Sequence, residues 1–321
     1  MAGLIQRIRH YIAIIRPLNL LIAGITQALV FFIVIRPELL AHDISPLLMG
    51  NLIFWFIFCM ICLAAAGYVI NDYFDTVPDR INKPMKQIAA KHISLSATLQ
   101  YCFLLNILGI LPAVYIAFKS GTAHLLYIYP LTAFLLFLYS WKLKHLSLVG
   151  NLMVSFFCAM VPGILWFAEK DNLSLLVIAS ESSGIFIEIS LFFYTVFAFF
   201  STFIREIVKD IQDVPGDLMV GSRHFVIRAG SVVSRNLVMA LMMILLASIV
   251  LFVYFVVFFQ DNILTIVILA FLFMIFPLLW SGYRFYNAKE PSDYQHASND
   301  LKALMGGGLL FLLLIHLIDK I

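Results

Sequence analysis

Residues 48–79 read LMGNLIFWFIFCMICLAAAGYVINDYFDTVPD, and the stretch changes character partway along. From Leu48 to Ile70 no residue is charged. About 20 apolar residues carry a helix across the hydrocarbon of a bilayer, so this run is expected to span a membrane. Asn71, Asp72, Asp75 and Asp79 follow at once. At about 100° per residue the three aspartates fall within a sector of about 60°, which puts three carboxylates on one helical face at the membrane surface. Pro78 is expected to loosen the helix before the third.

Apolar runs of similar length recur at Leu18–Ile35, Leu95–Phe118, Leu125–Tyr139, Leu148–Ala168, Ile185–Ile204, Val232–Phe259, Ile263–Trp280 and Ala303–Ile318. Together with the first they predict an all-α polytopic membrane protein of nine transmembrane helices, a single domain over residues 1–321. Composition agrees: 63% of the residues are hydrophobic, 12% are charged and the mean hydropathy is +1.00, where soluble domains carry about 25% charge. A water-soluble globule is excluded, because it would have no charged shell to cover its core. The net charge of +3 carries no nucleic-acid signature. Arg7, Arg9 and Arg16 precede the first run as in a leader peptide, yet no small-x-small cleavage site follows before Arg36, so the run is expected to be the first span.

Of the 21 lysines and arginines, all but Arg36, Lys119, Lys170 and Lys320 fall in alternate inter-helix segments. Cytoplasmic segments concentrate basic residues. The N-terminus and the segments 71–94 and 205–231 are therefore expected on the cytoplasmic side, and the C-terminus on the opposite side. Both segments are expected to be long loops.

The second of these segments repeats the acidic spacing. Asp210, Asp213 and Asp217 stand in the same D-x-x-D-x-x-x-D register, again with a proline before the last. Like charges three and four residues apart repel on a helix, so six carboxylates near a membrane need something positive to offset them. A chance pattern on a solvated face is the competing reading. Magnesium takes oxygen ligands and is commonly held by one or two carboxylates plus substrate phosphates, so the pattern suggests Mg²⁺ with a phosphorylated substrate bridging the two clusters. Lys91, Lys144 and Arg205 are candidate phosphate contacts, Lys209 lies beside them, and Tyr139 can present its ring or hydroxyl to the same group. Positive-inside topology and an interfacial aromatic belt account for the same residues equally simply.

Other features carry less. Cys59-x-x-Cys62 has redox or zinc spacing, but no second pair exists and all four cysteines lie in apolar runs, so they read as small buried hydrophobes. His92 and His224 read as incidental. Asn19, Asn106 and Asn151 sit in or beside apolar runs, where an amide needs a partner. The 30 phenylalanines suit an isoprenoid tail and suit any bilayer protein.

The acidic motifs, N-D-x-x-D-x-x-x-D at Asn71–Asp79 and D-x-x-D-x-x-G-D at Asp210–Asp217, together with nine expected spans that put both motifs on the cytoplasmic side, resemble the UbiA superfamily of intramembrane prenyltransferases over essentially the whole chain. The resemblance implies nine helices around a central cavity open sideways to lipid, with cytoplasmic cap loops. It implies two Mg²⁺ ions between the aspartate motifs and the diphosphate of an allylic isoprenoid. Asn71, Asp72, Asp75, Asp79, Asp210, Asp213 and Asp217 match the metal motifs. Tyr139-Ser140-Trp141-Lys142-Leu143-Lys144 is similar to the segment that places a tyrosine and a lysine over the diphosphate, and Arg16-Pro17-x-Asn19 to the start of the first helix, which makes Asn19 a substrate contact. Asp75, Asp210 and Asp213 are then catalytic, and a carboxylate of the second motif takes the acceptor's proton.

Asp79-Arg80-Ile81-Asn82-Lys83-Pro84, with Arg205-Glu206 before Lys209-Asp210, looks most like the branch that prenylates geranylgeranylglyceryl phosphate. The segment Lys86–Ser94 lacks the family's usual proline and glycine, and Gly221-Ser222-Arg223-His224 stands for Gly-x-Arg-Thr. These departures concern the acceptor, for which aromatic quinone precursors remain alternatives. The expected partners are a polyprenyl diphosphate, a lipophilic acceptor and membrane lipid, with neither nucleic acid nor protein implied. A secondary transporter of cations or of a phosphorylated lipid is the rival class, since intramembrane acids also mark ion pathways.

Overall fold

A computed structural model of the chain describes residues 2–82, 87–219 and 225–318. Its helices are α1 (Ala2–Ile14), α2 (Pro17–Ala41), α3 (Leu52–Phe74), α4 (Thr76–Asn82), α5 (Leu95–Ser120), α6 (Ala123–Trp141), α7 (Val149–Ala168), α8 (Lys170–Ala179), α9 (Glu181–Met219), α10 (Phe225–Phe259), α11 (Ile263–Asn287) and α12 (Pro291–Ile318). Among the described residues the only extended pairing is an isolated bridge between Ala89 and Ile93. Eight of these helices, α2, α3, α5, α7, α9, α10, α11 and α12, are long and apolar enough to cross a membrane. The expected fourth span is met by the shorter apolar part of α6, Leu126–Trp141, so nine crossings require α6 to cross as well. The surface is inverted relative to a soluble protein: Phe118, Ile178 and Phe258 are 84%, 82% and 78% exposed. With so much apolar surface on so many spanning helices, the chain is an integral multi-pass membrane protein.

Both expected cytoplasmic loops contain substantial helix. Asn71 and Asp72 form the last turn of α3, Asp75 caps it, and α4 begins one residue later with Pro78 in its first turn. A proline there loses no helical hydrogen bond, so the break comes at Asp75 rather than before Asp79. The segment from Arg205 to Met219 extends α9, because Ile207, Val208 and Ile211 continue the buried stripe of the span beyond the last apolar run. α10 starts at Phe225 but kinks at Gly230, whose φ of 82° suits glycine, which explains why the apolar run begins at Val232.

The chain divides into two compact units, residues 1–28 with 47–144, and residues 29–46 with 145–321. In the first, α3 packs chiefly on α5, and α6 packs on both. A Cβ on Gly109 would lie 3.2 Å from the Cys59 carbonyl oxygen, so glycine is what lets α5 approach α3 this closely. Cys59 and Cys62 are buried free thiols at that crossing. Ile14, Leu20, Ala65, Ala66, Val69 and Ile70 belong to the core beneath the first acidic motif.

In the second unit α9 is the axis, packing on α7, α8, α10 and α12. Phe193 of α9 stacks on Phe252 of α10 at 3.8 Å. Gly307 and Gly308 of α12 face the Phe273 carbonyl, in a π-helical turn of α11, and the Phe197 ring of α9; a Cβ on either glycine would overlap its neighbour. Small residues thus set the helix spacing in both units, as expected where lipid supplies no hydrophobic drive for helices to associate.

Candidate active site

The first acidic segment lies in the first unit. Lys144, on a 3₁₀ turn just after α6, is 9% exposed and donates to Asp75 Oδ1 at 2.6 Å and to Asn71 Oδ1 at 3.2 Å. The Asn71 amide in turn donates to Asp75 Oδ2 at 2.8 Å. Both oxygens of Asp75 are therefore held, one by an ammonium and one by a neutral amide turned by its own contact with that ammonium. Lys144 and Asp75 are separated by 69 positions, and the packing of α6 on α3 brings them together. Tyr139 sits half-buried in the last turn of α6, just before the Lys144 turn.

Asp72, one helical turn earlier, pairs with Arg16 at 2.9 Å, the two side chains being 15% and 45% exposed. Arg16 also lies over the Tyr68 ring at 4.7 Å, and the Asn19 amide donates to the Tyr68 hydroxyl at 3.4 Å. The arginine has a φ of 53°, in the left-handed region that non-glycine residues seldom occupy. That backbone turns the chain between α1 and α2 while the guanidinium is tied to the acidic motif. Strain held in place by an ion pair and a ring contact is a recurrent mark of functional positions. Asp79 sits half-buried on α4. Lys91 occupies an exposed turn between Ile88 and Ile93, its backbone N–H donating to the Ile88 carbonyl. The segment leading into that turn is fastened by Gln87, whose amide donates to the Thr76 carbonyl of α4 at 2.9 Å.

The second acidic segment lies on α9 in the second unit. Asp210 accepts from the buried Asn151 amide of α7 at 2.7 Å. Asp213 follows one turn later, half-buried. Arg205 and Lys209 both converge on Glu206, at 2.8 and 2.9 Å. Of the remaining sequence candidates, the side chain of Asp217 and the whole of Lys83, Lys86, Arg223 and His224 lie outside the described residues.

Three groups escaped prediction as parts of the site. Arg16 was read as a topology charge and as part of the Arg16-Pro17-x-Asn19 segment, Asn151 only as an amide in need of a partner, and Glu206 only as part of a motif. Their partners lie 56 residues away for Arg16 and 59 for Asn151, beyond any local spacing rule. A polar side chain at the end of an apolar run was the one available signal, and for Asn151 it pointed correctly.

All the donors of both segments are hard oxygens. Among the described residues no three carboxylate, histidine or cysteine side chains converge as a ready-made metal cage. This arrangement suits a hard divalent cation that receives one or two protein carboxylates and completes its shell with water and ligand phosphate. The chemistry available is thus binding and stabilisation of a highly charged phosphate group beside apolar helices.

The model of the UbiA prenyltransferase family matches residues 18–299. The digeranylgeranylglyceryl phosphate synthase of Methanobrevibacter smithii is 32% identical over 235 residues, 73% of this chain and 74% of that protein. The enzyme of the same name from Methanothermobacter thermautotrophicus is 32% identical over 73% of this chain and 72% of its own length. A solved structure described as "Structural and mechanistic insights into the biosynthesis of Digeranylgeranylglyceryl phosphate synthase in membranes" shares the fold with a TM-score of 0.64 at 21% identity, over 98% of this chain and 99% of that one. A UbiA homolog from Archaeoglobus fulgidus, bound to GPP and Mg²⁺, gives a TM-score of 0.57 at 15% identity, over 94% and 99%.

Proposed function

The chain belongs to the UbiA prenyltransferase family, and from that premise we propose that it transfers a geranylgeranyl group from its diphosphate to geranylgeranylglyceryl phosphate. Family membership removes the transporter reading. The acceptor is inferred from the relatives' activity and from the Arg205-Glu206 and Lys209-Asp210 pattern. The observation that carries the site assignment is the Asn71–Asp75–Lys144 arrangement, in which a nearly buried ammonium is already held against the acidic motif where a phosphate is to be bound.

In this reading Asn71, Asp72, Asp75 and Asp79 of the first motif, and Asp210, Asp213 and Asp217 of the second, are the residues that would supply oxygens for Mg²⁺. When bound, the metal neutralises the departing diphosphate. Lys144 donates to diphosphate oxygens, with Tyr139 beside it. Asn19, Lys91, Arg205 and Lys209 are the further substrate contacts. Arg16 pairs with Asp72 and orients it. The bond from C1 to the diphosphate oxygen breaks with its electron pair leaving on the diphosphate, and the acceptor hydroxyl oxygen bonds to C1. The hydroxyl proton passes to a carboxylate of Asp210 or Asp213, the former oriented by Asn151. In the same reading residues 1–321 form one catalytic domain, which the family match across residues 18–299, spanning both acidic motifs, supports. The N-terminus and both motifs are cytoplasmic and the C-terminus lies opposite, as the distribution of Lys and Arg supports.

The test is transfer of label from geranylgeranyl diphosphate by the purified chain with Mg²⁺, offered geranylgeranylglyceryl phosphate, 4-hydroxybenzoate, dihydroxynaphthoate and homogentisate in parallel. Label in the glyceryl phosphate alone, lost in Asp75→Ala and in Asp213→Ala, is the expected result. Label in an aromatic acceptor instead overturns the acceptor assignment, and wild-type rates in both variants overturn the site.

A further inference from the structure

The polar face of α9 is divided by charge. At about 100° per residue, Arg205, Lys209 and Gln212 lie along one edge, and Asp213, Glu206 and Asp210 along the other. The neighbouring helices follow the same division. Asp210 meets Asn151 of α7, whereas Gln212 donates to Gln295 of α12 at 3.0 Å. On α12, Gln295, Asn299 and Lys302 are spaced by four and three residues and so share a face, and Gln295 donates to Asn299 at 3.1 Å. Lys302 lies close enough to Arg205, Lys209 and Glu206 for their charges to act on it.

A polar strip therefore runs along the seam where α9 and α12 pack on one another, with Gln295, Asn299 and Lys302 exposed. Its cations are Arg205, Lys209 and Lys302, and Glu206 is the carboxylate that holds the first two. Arg284 and Asp300 nearby pair with each other at 3.3 Å and leave this balance unchanged. Arg205 also has a buried Nε with no protein acceptor. Arg205 and Lys209 are half-buried, where surplus positive charge is costly until an anion offsets it, and Lys302 is exposed beside them. The three amides of Gln212, Gln295 and Asn299 add donors and acceptors of the kind that hydroxyl and ether oxygens require.

We propose that this strip, made of Arg205, Lys209, Gln212, Gln295, Asn299 and Lys302, binds the phosphomonoester and glyceryl oxygens of the acceptor. The inference rests on the reading of the acceptor as a glyceryl phosphate. Lys302 is the specificity residue that the acidic motifs do not announce. The cation edge of α9 holds the acceptor's head group while the adjoining carboxylate edge, with Asp213, is left for the reacting hydroxyl. Phosphate chemistry is shared with the donor diphosphate, so the two sources are to be separated by kinetics.

The experiment varies geranylgeranylglyceryl phosphate and geranylgeranyl diphosphate separately with the full-length chain, and adds glycerol phosphate as a competitor. Replacing Lys302 by Gln should raise the acceptor KM about tenfold, the scale of one charge-assisted hydrogen bond, while the donor KM holds. Lys302→Arg should recover most of that loss, and glycerol phosphate should compete with the acceptor in the parent chain and weakly in Lys302→Gln. A rise in the donor KM instead, or no change in either KM in a variant that melts like the parent, overturns the proposal. If the parent chain itself transfers nothing to the glyceryl phosphate, the acceptor reading fails, and that outcome is distinct from a parent that works beside an unaffected variant.

Discussion

Lys144 and Arg16 both neutralise the first acidic motif, but their surroundings differ, and so should the consequences of removing them. Lys144 is 9% exposed and serves two acceptors, whereas Arg16 is 45% exposed and its pair is weakened by solvent. Lys144→Met should lower kcat/KM about 10–100-fold, the range for hydrogen bonds to charged groups. Arg16→Gln should cost tenfold at most; steady-state kinetics on the two variants checks the order. A separate pair reports on pH. His10 of α1 stacks on His92 at 4.1 Å with the rings 3° from parallel. Partial desolvation, then the neighbouring His10 and Lys91, hold the His92 imidazole below its ordinary range. A lowered histidine takes up its proton less readily folded than unfolded, so this contact is intact above about pH 6.5 and weakens as pH falls through the lowered value. Limited proteolysis near residue 10 should accelerate at pH 5 relative to pH 7.5, and His92→Phe should remove that dependence.

The helices owe their spacing to a few glycines, which makes their stability testable one position at a time. Gly307→Ala places a methyl group on the Phe273 carbonyl, a backbone atom in a π-helical turn that cannot move aside cheaply, and should lower the melting temperature in detergent by the equivalent of about 1–3 kcal/mol. Its neighbour Gly306 has open space, so Gly306→Ala should be neutral or slightly stabilising through helix propensity. Equal shifts in the two variants would show that the close approach to Phe273 is not what the glycine serves. At this level the sequence was partly readable. Span positions followed from apolar runs, but the helical extension from Arg205 to Met219 did not, because a charged sequence outside lipid looks like a loop until Ile207, Val208 and Ile211 are seen buried.

Sidedness is a property of the chain as a whole and depends on α6. Nine crossings, and not eight, put the two acidic motifs together on one side and the C-terminus on the other. Single cysteines at Lys119 and Lys142, before and after α6, should therefore react with an impermeant maleimide from opposite faces of the membrane. Labelling of both from the same face would remove α6 as a crossing and reverse the expected side of everything beyond it. Metal dependence is also global: EDTA should abolish transfer and added Mg²⁺ restore it, since neither acidic segment brings three carboxylates to one point unaided among the described residues.

Membrane residence, the acidic spacing and the oxygen chemistry of the site could be read directly from the chain, because hydropathy and helical periodicity are sums over residues close in sequence. Lys144 was legible for the same reason, lying just past the end of an apolar run in a short basic turn. Which carboxylate each cation meets was not. The pairing of Arg16 with Asp72, of Asn151 with Asp210, and of α12 with the cationic edge of α9 depends on how each helix is rotated about its axis and how closely its neighbour approaches. Those quantities are set by packing at positions such as Gly109, Gly307 and Gly308, where one methyl group more would displace a whole helix. A contact between residues more than 50 positions apart has no local signature, so it became visible only once the helices were assembled.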